Sequence, residues 1–497
     1  MSDFPILHDR DGGVIHLGRA TQIDLFGPMP ENKEALVEKL RLQNELRSLG
    51  VNLIDPCGLC AKQGGACLQI AQPEKPYNCG DLQFKDDISN EAISNYLLSL
   101  TIFKTMSDTE EIYYYDNGVY KPKGETLIKS FVEVHYRNTS TNRVNEVLAH
   151  IQRKTFVDRS EFDSDPCLLT VENGVLDLRT SMLNEFTSNH LSLVKTPVNY
   201  NPDAKSPVID KFLSEIVAPQ DVITLYEIAA FILFKRYFIH KSIMQVGDTH
   251  SGKSIYQKLL TKLVGEENAE HQSLQLLLID KFASSNLYGK LVNSFADLSN
   301  AALKETGLFK ALCGEDRISG QRKFRDSFNF ENYAKLIFST NEMPKTRDKS
   351  DAFFIRWLII NFPNRFDDKN PQTDKFLIDK LTTPEELSGF LNQILTHIKN
   401  LLANQHFTNN PDVDEIRSYY EKLSNPIYAF ISDTCTAEEN SHILKKDFYQ
   451  ELMKYCEDKR LSKPTLTFTT QEMKRLRYEE GQDHEGPRYY KRLRFKS

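Results

Sequence analysis

At 497 residues, 40% hydrophobic and 26% charged, the chain is too long for one core and ordinary enough in composition to pack as about three globular domains. No apolar run approaches the ~20 residues of a membrane span. Met1-Ser2-Asp3-Phe4-Pro5 carries no basic-then-apolar signal, so a soluble, cytoplasmic protein without a membrane partner is expected. The net charge of −7 argues against nucleic acid, but it is uneven. From Lys459 to Ser497 eleven Lys and Arg face five acids, which makes that stretch +6 and the remainder −13. A local basic patch is what phosphate contacts need.

Residues 1–84 form an N-terminal segment. Glu31 to Leu49 reads as a helix, with Leu36, Val37, Leu40, Leu42 and Leu46 near helical spacing. Cys57, Cys60, Cys67 and Cys79 then put four thiols within 23 residues. One C-x-x-C knuckle plus two further cysteines suits tetrahedral Zn²⁺; an iron–sulfur cluster uses the same ligands, and ordinary loop cysteines are the third open reading. Cys167, Cys313, Cys435 and Cys456 are scattered and read as small core residues.

From 85 to 204 helices and short strands alternate, as an α+β domain. Ile112 to Tyr120 is a hairpin turning at Asp116-Asn117-Gly118, and Val171 to Leu178 is a second strand–turn–strand signal. Asn201-Pro202-Asp203-Ala204 is a linker-like break. Residues 205–240 read as a helical collar, with one helix over Lys211 to Tyr237.

Residues 241–370 alternate strands and helices in the manner of a parallel α/β sheet. The apolar run Ser242 to Val246 leads into Gly247-Asp248-Thr249-His250-Ser251-Gly252-Lys253-Ser254, and a helical run begins at Ile255. G-x-x-x-x-G-K-S between strand and helix is the context of a phosphate-binding loop, whose backbone N–H groups cradle phosphate oxygens. It points to ATP with Mg²⁺: Lys253 for the β/γ-phosphates and the Ser254 hydroxyl for the metal. The strand Leu291 to Asp297 ends in a carboxylate placed for the Mg²⁺ shell or for water. The strand Lys335 to Asn341 ends in an amide suited to positioning the attacking water or sensing the γ-phosphate. Arg356 precedes the strand-like run Trp357 to Ile360. It is placed either to stabilise phosphoryl charge in a neighbouring subunit or to pair with Asp348 or Asp351. Residues 371–425 read as a helical linker.

Residues 426–497 form a small basic unit. Helices are expected from Ile427, over Leu444 to Cys456, and over Thr469 to Tyr478 with Thr469 or Thr470 as N-cap. Lys474, Arg475 and Arg477 lie on the third helix, and Arg488 to Phe495 is a basic, aromatic strand. Three helices and a wing make a winged-helix domain that reads duplex DNA; an oligomer-docking unit is the alternative.

The order of the phosphate loop, Ala296-Asp297-Leu298-Ser299, Phe309 to Ile318 and Ser339-Thr340-Asn341-Glu342-Met343-Pro344 resembles superfamily 3 helicases, of the primase-helicase type of phages, plasmids and integrated elements. The 112–120 hairpin and Val171 to Leu178 resemble the domain preceding that helicase in poxvirus-type and satellite-phage primases. The resemblance implies an AAA+ core, a homohexameric ring and ATP-driven translocation on single-stranded DNA in a prokaryotic host cell. It also implies a pore hairpin, here Ser319 to Arg325, with Gly320 as the turn and Arg322, Lys323 and Arg325 on DNA phosphates. Relatives often show paired acids where this chain has Asp297-Leu298, so the water-activating base is open, with Glu305 a candidate. They often show Arg-Arg where it has Ile355-Arg356, which leaves Arg356, or else Arg347, for the finger. Residues 1–84 are too short for the family's primase domain, so either a separate primase or polymerase supplies priming or the protein does not prime. An ATP-dependent origin-binding or loading protein that does not unwind is the competing function.

Overall fold

In the computed structural model residues 89–135, 139–303, 305–323, 325–366, 374–459, 461, 463–482 and 486–496 are described, together with the short ladder Leu7–His8 with Val14–Ile15. The chain divides into two compact units. The first takes Met1–Thr105, Glu111–Tyr114 and Pro122–Phe156; the second takes Met106–Glu110, Tyr115–Lys121 and Val157–Ser497.

In the first unit the helices Asn90–Leu100 and Thr141–Thr155 start on serine caps, Ser89 and Ser140, whose hydroxyls accept N–H bonds that have no partner inside the helix. Their apolar faces, Ile93 and Leu97 on one and Val147, Leu148 and Ile151 on the other, close over Ile128 and Val132 of the helix Gly124–His135. Phe103 and Ile112 of an antiparallel pair complete this core.

The second unit opens with an antiparallel sheet of Leu168–Val171, Gly174–Asp177 and Met182–Asn184. The expected single helix over 211–237 is two: Pro207–Ile216 and Val222–Leu233, joined through a 3₁₀ turn at Pro219–Asp221. Pro219 disfavours helix at the residue before it, and the chain turns there. The second of these helices is apolar on every side and buried nearly throughout, as a helix without a polar face must be.

At the centre lies a five-stranded parallel sheet in the order Ala269–Glu270, Val292–Phe295, Lys335–Thr340, Ser242–Gly247, Trp357–Phe362. Its strands are near-continuous buried runs because helices cover both faces. The strand earliest in sequence, Ser242–Gly247, sits between the two latest, so the direction of winding reverses beside it. In an open parallel sheet the crevice at such a reversal, at the carboxyl ends of the strands, is where ligands fit.

Beyond the sheet come the helices Pro384–Asn404 and Val413–Ser424. The C-terminal residues form three helices, Pro426–Thr434, Lys445–Asp458 and Leu466–Arg475. An antiparallel sheet runs Cys435–Leu444, Arg488–Phe495, Glu480–Gln482. Their apolar cluster, with Ile427, Phe430, Phe448, Leu452, Met473 and Tyr490, is separate from the large core around the parallel sheet.

Candidate functional site

The loop that follows Ser242–Gly247 is shaped by close backbone approach. A Cβ on Gly247 would run into the Phe362 carbonyl, and one on Gly252 would meet Ile216. Gly252 stands at φ 95° and His250 at φ 62°; the left-handed region is open to glycine and strained for most other residues. The His250 carbonyl accepts from the Phe366 N–H at 2.9 Å, which ties the loop to the chain after the edge strand Trp357–Phe362. The helix Lys253–Val264 starts directly on Gly252. Its first N–H groups have no helical acceptor, so the loop and helix end together offer a concave set of donors to an anion.

Lys253 curls back over this loop. Its Nζ donates to Gly247 O at 2.6 Å, Asp248 O at 2.7 Å and Ser251 Oγ at 3.1 Å. These oxygens occupy the ammonium's three donors, as phosphate oxygens would. Burial pushes the Lys253 ammonium below its ordinary value, and the Asp248 and Asp297 carboxylates oppose that. Asp297 thus acts on Lys253 electrostatically across the strands. Ser254 and Asp297 are exposed. A hydroxyl and a carboxylate are hard oxygen donors of the kind Mg²⁺ takes, and the glycine cradle leaves room for a phosphate chain, so the residues fit ATP with Mg²⁺.

Asp297 lies two residues past Phe295, which pairs with Phe338; Val246 pairs with Thr340. Gly247, Asp297 and Asn341 therefore follow the carboxyl ends of three adjacent strands, spaced about 5 Å apart. Asp297 stands at φ 63°, a conformation Asp tolerates better than most side chains. Ser339 fixes it there: its hydroxyl accepts the Asp297 N–H at 3.3 Å and its carbonyl accepts the Leu298 N–H at 2.7 Å. The sequence marks Ser339 only as part of the Ser339-Thr340-Asn341 motif and does not mark Phe366. Their roles are not local, because each works through a neighbour distant in the chain. Glu305 is exposed.

Arg356 is at the opposite, amino end of the strands. Its carbonyl accepts the Ser242 N–H, at the amino end of a six-residue strand, roughly 20 Å from the loop at the rise of a strand. Within one chain it does not join the site. The ion pairs with Asp348 or Asp351 are not made. Arg356 donates instead to Lys310 O at 3.1 Å and Ala352 O at 2.6 Å. Asp348 takes Lys310, Thr306 and Ser350, and Asp351 takes Arg417.

The segment between the Asp297 and Asn341 strands is a hairpin, Arg317–Gly320 against Phe328–Glu331. Gly320 is not its turn. It pairs with Phe328, whose ring fills the space a Cβ would need. The chain turns farther out, over 321–327, where Arg322, Lys323 and Arg325 lie, with the Arg322 guanidinium 5.0 Å from the Phe328 ring centre. In the C-terminal unit the third helix is capped by Thr465, not by Thr469 or Thr470. The Thr465 hydroxyl accepts the Phe468 N–H, while Thr469 is buried and donates to the Thr465 carbonyl. Lys474 and Arg475 lie in its last turn, Arg475 on Glu472, and Arg477 follows the helix at φ 66°. Cys57, Cys60, Cys67 and Cys79, and the helix over Glu31 to Leu49, lie outside the described residues.

A parallel α/β sheet with a glycine-lined loop and two polar strand ends at its winding reversal is the class of site defined here. Residues 84–218 match a family model described as D5 N terminal like. Residues 245–356 match one described as a family of unknown function, DUF5906. Over 233 residues the chain is 25% identical to "Putative helicase 121R" of Invertebrate iridescent virus 3, an alignment covering 43% of this chain and 24% of that protein. The chain thus spans about a quarter of the length of that curated relative. Among solved structures, two of the NrS-1 C terminal region in the apo state match at 13% identity. One has a TM-score of 0.45 and covers 82% of this chain and all of that one; the other, an A form, has a TM-score of 0.44 and covers 82% and 99%. No helix among the described residues is long and apolar enough to cross a membrane.

Proposed function

We propose that this chain is an ATP-dependent DNA helicase of the superfamily 3, AAA+ type, serving the replication of a virus, plasmid or integrated element as a homohexameric ring on single-stranded DNA. The observation that carries the reading is the convergence of the Gly247–Ser254 loop, Asp297 and Asn341 beside the winding reversal of a parallel sheet. The similarity to D5-like and putative viral helicase sequences supports the DNA-replication part.

ATP with Mg²⁺ supplies the phosphoanhydride whose hydrolysis drives movement. Lys253 exchanges its loop acceptors for phosphate oxygens, and Ser254 and Asp297 hold the metal. The Asn341 amide orients a water by hydrogen bonding. Arg356, remote from its own loop, serves the loop of the adjacent subunit. Arg322, Lys323 and Arg325 follow the phosphates of the single strand, and the C-terminal unit, read as a winged helix, holds duplex through Lys474, Arg475 and Arg477.

The second reading, an origin-binding or loading protein that does not unwind, is favoured by Arg356 bonding two carbonyls of its own chain. Strand displacement on forked DNA with ATP decides between them. Lys253→Ala is expected to lower ATP hydrolysis roughly a hundredfold or more, the scale of losing one fixed charge on a developing anion. Undiminished hydrolysis in the folded variant removes the ATPase reading. Hydrolysis without displacement by the unaltered chain selects the loader.

A further inference from the structure

On the third C-terminal helix, Leu466–Arg475, some polar side chains are used by the fold and others are left over, and the two sets lie on different faces. Thr469 and Thr470 donate back to the Thr465 and Leu466 carbonyls at 2.9 and 3.0 Å. Glu472 is buried and holds both Arg475, at 2.8 Å, and Asn425. Thr467, Gln471 and Lys474 are exposed and take no hydrogen bond or ion pair among the described residues. Spaced i, i+4 and i+7, they share one face of the helix, turned away from Thr469 and Met473, which pack inward. The residues before 426 touch the helix elsewhere, through Lys345 on the Phe468 ring at 4.4 Å and Asn425 on Glu472.

Charge selects the partner of this face. The outer surface of the second helix, Lys445–Asp458, mixes signs: Lys454 pairs with Glu451 at 2.8 Å, and Glu457 with Lys463 at 2.9 Å. Carboxylates so placed would repel a phosphate backbone. The free face of the third helix carries no acid. Its one charge is Lys474, and Arg477, just past the helix and also unpaired among the described residues, adds a second. Both cations stand at the carboxyl end. Towards the amino end the face is neutral, with the Thr467 hydroxyl and the Gln471 amide beside Leu466, an apolar side chain left 55% exposed. Cations at one end and neutral polar and apolar groups at the other suit the B-DNA major groove, where phosphates flank the base edges.

We propose that this face reads base sequence in duplex DNA. Gln471 takes an adenine: its side-chain carbonyl accepts from N6 and its amide donates to N7, a donor–acceptor pair that only adenine shows at the major-groove edge. Leu466 and the Thr467 methyl meet a thymine methyl within the same few base pairs, while Lys474 and Arg477 hold the phosphates. This rests on the C-terminal unit being the duplex-binding winged helix proposed above, and adds that its binding selects a sequence, so that the chain assembles at a defined duplex site.

The test is selection of duplexes from a randomised pool by the full chain, without nucleotide and at fixed salt, with the bound fraction sequenced. An adenine with a thymine close by is expected. A duplex altered at the adenine should compete roughly fivefold or more weakly for the unaltered chain, and equally well for Gln471→Ala. Gln471→Glu should move the preference to cytosine, whose N4 donates to a carboxylate. Lys474→Ala should instead weaken all duplexes alike and lower the salt slope by about one. Both side chains are exposed and unpaired, so the variants keep the fold. A bound pool with no preferred base, or an adenine preference that Gln471→Ala leaves intact, overturns the base-reading face and leaves the helicase reading standing. Failure to bind any duplex, with ATP still hydrolysed, also overturns it and makes the unit a protein-docking element. Without hydrolysis either, the ATPase reading falls as well.

Discussion

Lys335 opens the strand that ends beside Asn341 with its ammonium wholly inside the protein. Desolvation drives its pKa far down, yet all three donors are met by carbonyls, of Phe234, Arg236 at 3.0 Å and Tyr333 at 2.9 Å, and the Phe231 and Tyr237 rings flank it. A buried cation persists when each proton has an acceptor. It fastens the chain before the sheet to the start of a central strand. His190 is the opposite case. Its Nε2 is buried without a partner, and burial, then the Lys235 charge, push it down to about 4 against the pull of Asp163 and Asp165. The unfolded chain titrates it near 6.5, so between those values only the unfolded state holds the proton. The stability from the neutral ring is therefore complete above about 6.5 and is lost as pH falls towards 4. Melting temperatures measured from pH 7 to 4.5 should fall less steeply in His190→Gln than in the unaltered chain; equal slopes would show the ring to be hydrated.

Among the elements, the helix Pro384–Asn404, inside the expected helical linker, binds the chain that precedes the parallel sheet. Asn392 Nδ2 donates to the carbonyls of Asn201, Pro202 and Ala204 at 2.8, 3.2 and 2.9 Å. The Glu386 carboxylate accepts the Val208 and Ile209 N–H groups at 3.2 and 3.1 Å, where Ser206 gives no side-chain cap. Gly389 lets the Lys205 backbone lie directly on the helix. Gly389→Ala should destabilise the protein by roughly 1–3 kcal/mol, because the obstacle is backbone and cannot rotate away. Denaturant unfolding measures it, and a change under ~0.5 kcal/mol would mean the strap is not packed as described. The strand Cys435–Leu444 teaches a related point. Its middle, Ala437-Glu438-Glu439-Asn440-Ser441, has the composition of a loop. The ladder with Arg488–Phe495 holds its two ends, Cys435 to Ala437 and His442 to Leu444, and Glu438 to Ser441 form the register shift between them.

On the scale of the whole molecule, side chains join the C-terminal unit to the residues before it. Lys345, four residues past Asn341, lies 4.4 Å from the Phe468 ring centre, and Asn425 Nδ2 donates to Glu472. Because its apolar cluster draws only on residues after 426, removing 426–497 should leave the larger core folded and ATP hydrolysis within about twofold. Binding to duplex DNA should weaken, with a flatter salt dependence as fewer counterions are released. Filter binding across a salt series checks this, and an unchanged slope would make the unit a protein-docking element.

Sequence alone determined the loop at Gly247–Ser254 and the strand ends at Asp297 and Asn341, because glycine spacing, apolar runs and a lysine at a helix start are local patterns. It also marked the turn at Asn117-Gly118, where both residues stand at positive φ. Tertiary structure decided what depends on a distant partner. Arg356 bonds carbonyls rather than the nearby acids, because those acids are taken by Lys310 and Arg417. Gly320 makes room for Phe328 instead of turning the chain. The third C-terminal helix is capped by Thr465, four residues before Thr469, since burying Thr469 and Met473 puts them inside the helix. Arg159 looks like any surface arginine in sequence. Only the fold brings Asp108, Tyr288 and Phe328 around it, because burial, not spacing, determines which charges need partners.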